Sequence, residues 1–329
     1  MDWLDVAAEC SFAAADFSFA DGATADLRLA YRTLGTLAPD RGNAILMLHG
    51  TTGSGTQFLE PTFADAVFGA GEPLDINDYF VILPDAIGHG RSSKPSDGMA
   101  RLFPRYGYTD IVAAQHLLVT QGLGLRRLRL VMGTSMGGMQ TWIWGERYPD
   151  MMDALMPVAS LPERVTGRNL LWRRLLLELA PLDAAQSGDQ PTGLGLAWVL
   201  FNLMSGSPAR MAETLKTPEE ADAYIEAVAK QALEQDLIDV LWEFEASHDY
   251  DPGPDLGRIQ APLLAVNFAD DEVNPAQLGV MDEMIAQVRR GQAVLVSASE
   301  NSQGHQTLKH PALWSEHLRL VLQRSEQET

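Results

Sequence analysis

Only one cysteine, Cys10, stands in the 329 residues, so no disulfide can form within the chain and no thiolate cluster can hold a metal. Basic residues are scarce as well. Lys and Arg number 24 against 44 Asp and Glu, a formal charge of -20. Phosphate backbones and anionic lipid surfaces need a basic face, so nucleic-acid and anionic membrane-surface partners are not expected. No His-Glu-x-x-His pattern is present, and no glycine-rich loop ends in Gly-Lys-Ser/Thr or carries a dinucleotide fingerprint. Neither a metal nor a resident cofactor is expected. The start, Met1-Asp2-Trp3-Leu4-Asp5, is acidic where a secretory signal is basic, and no apolar run reaches membrane-spanning length. These features point to the cytoplasm.

What the chain does have is a series of short apolar runs: Ala44 to Leu48, Tyr79 to Leu83, Leu128 to Met132, Ala154 to Val158, Leu263 to Val266 and Ala293 to Val296. Runs of this length, separated by helix-compatible segments, fit a parallel sheet covered on both faces. Phe17 to Phe19 and Leu27 to Thr33 flank Asp21-Gly22 and read as a hairpin. Helices are expected over Tyr108 to Thr120, Pro275 to Arg289 and Pro311 to Gln323. Between Pro162 and about Pro254 the strand pattern stops. Helical patterns cover Asn169 to Ala180, Leu194 to Met204, Pro218 to Leu233 and Asp236 to Ser247, with breaks at Pro181, Gly188 to Pro191 and Gly206 to Pro208. The fold class is therefore α/β. Residues 1–161 and 255–329 are expected to form the core domain, and residues 162–254 a helical insertion. It is either a separate all-helical domain or, as the return to strand pattern after it favours, a cap laid over the strand ends before the strand that is to carry the catalytic acid.

Gly133-Thr134-Ser135-Met136-Gly137 sits between an apolar strand and a helix. In that setting Gly-x-Ser-x-Gly is a nucleophile elbow, a strained turn that exposes the serine and needs small flanking residues. Ser135 is the candidate nucleophile. A serine hydroxyl needs a histidine base, and the base needs an orienting carboxylate, in the chain order Ser, acid, His. His305, in the loop Ser302-Gln303-Gly304-His305-Gln306 after the last strand, is the candidate base. His310 and His317, at or in the final helix, are expected to face away or pack. Asp270 and Asp271 both follow the strand Leu263 to Val266. Asp271 is preferred because it stands four residues before Pro275, and Asp270 is then a solvated loop charge. The oxyanion donors are the N–H of Met136 and an N–H from His49-Gly50-Thr51-Thr52-Gly53-Ser54-Gly55, with Thr51 first and Thr52 next. Asp85 to Ser93 resembles a loop found across the α/β-hydrolase fold, which implies that it shapes the loop beside the site, and His89 within it is not expected to take part in the chemistry. Trp172, Trp198 and Trp242 are expected to pack the cap and core.

Ala30 to Gly35, His49 to Ser54 and above all Ser135-Met136-Gly137-Gly138-Met139-Gln140 resemble the homoserine O-acetyltransferases, an α/β-hydrolase-fold family. The likeness covers roughly residues 16–160 and 255–325. It departs in the cap, where Gly167 to Arg174 lacks the family's asparagine- and glutamine-bearing helix and the aspartate-proline-tryptophan that follows. The chain thus looks like the acetyltransferase-like hydrolases. The resemblance implies a serine hydrolase acting on a small or medium acyl ester, or an O-acyltransferase with acyl-CoA as co-substrate. A non-catalytic binding protein on the same scaffold is the third reading. A homodimer through the cap helices is implied by the resemblance alone. Arg164, Arg168, Arg173 and Arg174 are candidates to meet a substrate carboxylate, each more ordinarily a solvated or salt-bridged group.

Overall fold

The computed structural model describes residues 2–182 and 192–327. The break expected at Gly188 to Pro191 lies outside these residues. Eight strands form one sheet: β1 (Ala8–Ser18), β2 (Thr24–Leu34), β3 (Ala44–Leu48), β4 (Phe80–Pro84), β5 (Leu130–Thr134), β6 (Leu155–Val158), β7 (Leu263–Phe268) and β8 (Gly291–Val296). Their spatial order is β1-β2-β4-β3-β5-β6-β7-β8. The β1–β2 and β2–β4 pairs are antiparallel, and every later pair is parallel. This is the α/β-hydrolase architecture.

The apolar runs become strands because both faces of the sheet are covered. All five residues of β3 are buried, and successive side chains go to opposite sides. Leu46 and Leu48 join one core with Trp142 and Tyr108, whereas Ile45 and Met47 join the other with Phe58 and Trp314. Helices Tyr108–Leu117 and Met136–Arg147 cover the first face, and helix Glu316–Gln327 covers the second. β8 closes one edge and is far more exposed than the inner strands, with only Gly291, Val294 and Val296 partly covered.

The hairpin is longer than its apolar residues indicate, because β1 and β2 pair over 11 residues each and most of β1 faces solvent. The helix expected over Pro275 to Arg289 is a correction. Only Ala276–Leu278 and Val280–Ile285 are helical, because Gly279 between them takes a left-handed conformation with φ 70°. The final helix likewise starts later, at Glu316, after a separate turn at Pro311–Leu313.

Between β6 and β7 the described residues carry helices Gly167–Leu179, Gly193–Ser205, Pro208–Thr214, Pro218–Gln231 and Leu237–Glu245, and no strand. Trp172, Leu176, Trp198, Val240 and Phe244 form a core of their own, and Val273 joins it from the loop after β7. Trp242 instead packs into the main core. This helical layer therefore rests on the ends of the strands from which the candidate catalytic loops emerge.

Candidate active site

β5 ends at Thr134, and the chain turns sharply through Ser135 into helix Met136–Arg147. Ser135 has φ 55° and ψ -114°, a conformation disfavoured for any residue with a Cβ. Tight packing holds it there. A Cβ on Gly137 would stand 1.9 Å from the Leu48 carbonyl oxygen, and one on Gly138 would stand 2.7 Å from that of Val158. The elbow helix is thus pressed onto β3 and β6 at once. The Ser135 N–H donates to the Val158 carbonyl at 2.9 Å.

The structure brings Ser135, His305 and Asp271 together from loops after β5, β8 and β7. Ser135 Oγ lies 2.8 Å from His305 Nε2, and His305 Nδ1 lies 2.7 Å from Asp271 Oδ2. Both His305 and Asp271 are buried. The remaining acceptor capacity of Asp271 is filled. Its Oδ1 accepts from the N–H groups of Val273 at 2.8 Å and Asn274 at 3.1 Å, and its Oδ2 also accepts from Asn274 Nδ2 at 3.1 Å. Burial alone would raise the carboxyl pKa, but the charge and hydrogen bond of His305, with those of Asn274, outweigh it and hold it below the usual value. Asn274 Nδ2 is pinned in turn by the Ala159 carbonyl at 2.9 Å. The role of Asn274 was not foreseen. The Asp-x-x-Asn spacing, which lets an Asp cap the next turn, is the signal that marks it.

Asp270 is not the solvated charge expected of it. Its Oδ2 accepts from Ser302 Oγ and the Gly304 N–H, both at 2.9 Å, so it ties down the loop that presents His305.

The loop after β3 is held by groups invisible to a local reading. His49 Nδ1 lies 2.8 Å from the Gly50 carbonyl, and its Nε2 accepts the Ala86 N–H at 3.0 Å. Those partners require a neutral ring protonated on Nδ1. Burial agrees, pushing the His49 pKa down to about 4. The Gly50 carbonyl belongs to the same peptide as the Thr51 N–H, so the ring fixes the direction of that donor. Gln57 adds a second tie, accepting from the Gly50 N–H at 3.1 Å and donating to Thr134 Oγ1 at 2.9 Å. His89 Nε2 lies 2.7 Å from the Thr51 carbonyl, which links the segment Asp85 to Ser93 to this loop. His89 also stands 3.8 Å from Glu243 of helix Leu237–Glu245. Burial lowers the His89 pKa to about 3 and raises that of Glu243 well above a normal carboxyl. Yet the ring's contacts oppose this: Nδ1 faces the Ile87 carbonyl at 2.9 Å as Nε2 faces that of Thr51, and only a doubly protonated ring donates to both. Met136 opens the elbow helix, so its N–H has no intrahelical acceptor.

A cleft of about 500 Å³ opens over Ser135 and His305, lined by Thr51 on one side and by Trp172, Arg173 and Phe201 of the helical layer on the other. His310 lines it too, contrary to the expectation that it faces away. A larger groove of about 840 Å³, near Arg127 and Arg289, lies at the opposite ends of the strands and touches none of these groups. Three of the four candidate arginines are exposed and ion-paired: Arg164 with Asp251, Arg168 with Glu272, and Arg174 with Glu245. Arg173 is buried. Among the described residues, no cluster of side chains fits a metal ion, and no helix is long and apolar enough to cross a membrane.

Residues 43–291 match the model of the alpha/beta hydrolase fold. A homoserine O-acetyltransferase of Pelobacter propionicus is 30% identical over 339 residues, covering 88% of each chain. Among solved structures, an acetylester hydrolase from Corynebacterium glutamicum superposes with TM-score 0.82 at 22% identity, over 96% of both chains. A homoserine O-acetyltransferase from Bacillus anthracis superposes with TM-score 0.80 at 20% identity, over 96% of this chain and 98% of that one. At these identities the two superpositions speak for the fold.

Proposed function

The chain belongs to the alpha/beta hydrolase fold family, within its homoserine O-acetyltransferase-like group, and on that premise we propose that it is a serine hydrolase cleaving small or medium acyl esters. The observation that carries this reading is the unbroken line of hydrogen bonds from Ser135 through His305 to Asp271, set on a strained elbow at the floor of a cleft. Ser135 Oγ attacks the ester carbonyl and gives its proton to His305 Nε2. Asp271 holds Nδ1–H and so leaves Nε2 free to accept. Negative charge then develops on the carbonyl oxygen, and the N–H groups of Thr51 and Met136 stabilise it. His305 returns the proton to the leaving alcohol. Water, deprotonated by the same ring, then attacks acyl-Ser135 and releases the acid.

Ser135 is only half-buried, so water has a path to the acyl group. Residues 162–254 act as a cap in this reading, shaping the cleft through Trp172, Arg173 and Phe201. The second reading, an O-acyltransferase using acyl-CoA, rests on the likeness to the Pelobacter propionicus enzyme over most of both chains. The two are separated by assaying acetyl esters of increasing chain length beside acetyl-CoA with and without homoserine. Release of acid from esters, with no homoserine-dependent consumption of acetyl-CoA, supports the hydrolase. The opposite pattern replaces it with the transferase. Failure of a fluorophosphonate probe to label Ser135 leaves only a binding role.

A further inference from the structure

Arg173 differs from the other arginines of its segment. Its neighbours each meet a carboxylate at the surface. Arg173 is 5% exposed, and among the described residues no carboxylate pairs with it. Its Nε donates to Asn169 Oδ1 at 2.9 Å, which fixes the plane of the guanidinium. Its Nη1 has no acceptor. Two further buried donors in the same region are in that state, the indole N–H of Trp172 and the hydroxyl of Tyr108. Tyr108 faces both Arg173 and the Thr51 side chain without the geometry of a hydrogen bond to either. The Arg173 guanidinium lies 5.1 Å from the Trp172 ring, a contact that partly compensates its lost hydration. A cation kept out of water without a counter-charge is costly, and an anion supplied from outside removes that cost. Trp172 and Arg173 both line the cleft that holds Ser135.

We propose that Arg173, supported by Trp172 and Tyr108, is a subsite for the carboxylate of an anionic ester bound in the Ser135 cleft. A guanidinium suits a carboxylate because its N–H groups match the two oxygens in one plane. The subsite is for a carboxylate alone, not for an amino acid. The one acidic side chain lining the cleft among the described residues is Glu60, which is exposed and faces Lys309, so nothing beside Arg173 takes an ammonium group. This inference rests on the reading of Ser135 as an esterase nucleophile, and the carboxylate sits on either the acid or the alcohol part of the ester.

The test compares three charge pairs at pH 7. The first is 4-acetoxybutanoate against its methyl ester, with the carboxylate on the alcohol side. The second is monoethyl succinate against diethyl succinate, with the carboxylate on the acyl side. The third is 4-acetoxybutanoate against O-acetylhomoserine, which adds an ammonium group. The wild type is expected to favour the anion in one of the first two pairs at least tenfold in kcat/KM, mostly through KM, and to disfavour the ammonium compound. Arg173→Met is expected to lower kcat/KM for the favoured anion at least tenfold more than for its neutral partner, with Arg173→Lys in between. Binding gives a readout free of turnover. Succinate should raise the Tm of the Ser135→Ala protein in a saturable way and leave the Ser135→Ala, Arg173→Met protein unmoved. A saturable succinate shift with no ester cleaved keeps the subsite and sinks the esterase reading. Ester cleavage without charge preference in either pair overturns the subsite, and the wild type alone gives that answer if the Arg173 variants do not fold. Equal cleavage of O-acetylhomoserine and 4-acetoxybutanoate overturns the exclusion of amino acids.

Discussion

Replacing Asp271 by Asn tests the proposed chemistry with the smallest possible change of shape. The carboxylate accepts four hydrogen bonds, two at each oxygen. An amide has one acceptor atom and one donor group, so it can satisfy only one side. If its oxygen faces His305, its NH2 meets the main-chain N–H groups of Val273 and Asn274, and those donors cannot turn away. The amide therefore places its oxygen on the backbone side, leaving its NH2 towards His305 Nδ1. That nitrogen must then accept, the ring proton moves to Nε2, and Ser135 loses its proton acceptor. A wrongly protonated base of this kind lowers kcat by about 10⁴-fold, near 5.5 kcal/mol in the barrier. The assay is the rate of Ser135 labelling by a fluorophosphonate together with single-turnover cleavage of a simple acetyl ester, beside a urea unfolding curve showing that the variant is folded. A folded Asp271→Asn protein reacting within tenfold of the wild type would refute both the tautomer argument and the role given to His305.

Other outcomes follow from the surroundings of the site. His49→Phe keeps the ring's bulk but releases the Gly50 carbonyl and strips the Ala86 N–H of its acceptor, so kcat for ester cleavage should fall about 10- to 100-fold as the Thr51 N–H loses its direction; a lowered Tm with unchanged kcat would count against it. Glu146, in the elbow helix, has a carboxyl pKa pushed up to about 8, by burial first and then by Asp255, with Arg258 and Arg147 opposing. The unfolded chain ionises this group from pH 4.5 upward while the folded one keeps it protonated, so its contribution to stability declines as pH rises from about 4.5 to 8. Glu146→Gln should therefore gain on the wild type across that range, by up to about 3 kcal/mol at pH 7 in urea titrations, and a pH-independent difference would contradict the sign. Asp271 works the other way. Its lowered pKa adds stability at neutral pH that is lost as pH falls through the folded-state value, so wild type and Asp271→Asn should draw closer in urea midpoint below pH 4.

Much of the layout is legible in the sequence because its causes are local. A strand, a glycine-flanked serine and a helix occur within twenty residues, and the order of acid and base along the chain follows from the fold that this elbow announces. Asp271 is distinguished from Asp270 by spacing alone, yet what separates them in space is the work each does, one on the His305 ring and the other on its loop. Contacts across long separations stay hidden. His49 meets Ala86 and Gln57 meets Thr134, and no periodicity encodes either pairing. Helix ends are misjudged where one residue's backbone overrides composition, as Gly279 does inside an otherwise helical pattern. Arg173 is the sharpest case. In sequence it is one of four similar arginines, and only the packing of Trp172 and Phe244 around it removes it from water.

The three proposed catalytic side chains are mounted on supports of unequal strength. β5, beneath Ser135, is buried at every position and hydrogen-bonded on both sides, whereas β8, which leads to His305, is the outermost rung and half open to solvent. Rungs of that kind fray at lower free energy than the interior. On warming, the proton acceptor should thus swing loose while the platform beneath the hydroxyl is still assembled. Catalysis would then switch off below the melting temperature and return on cooling, and the ceiling on working temperature belongs to one rim of the sheet rather than to the molecule as a whole.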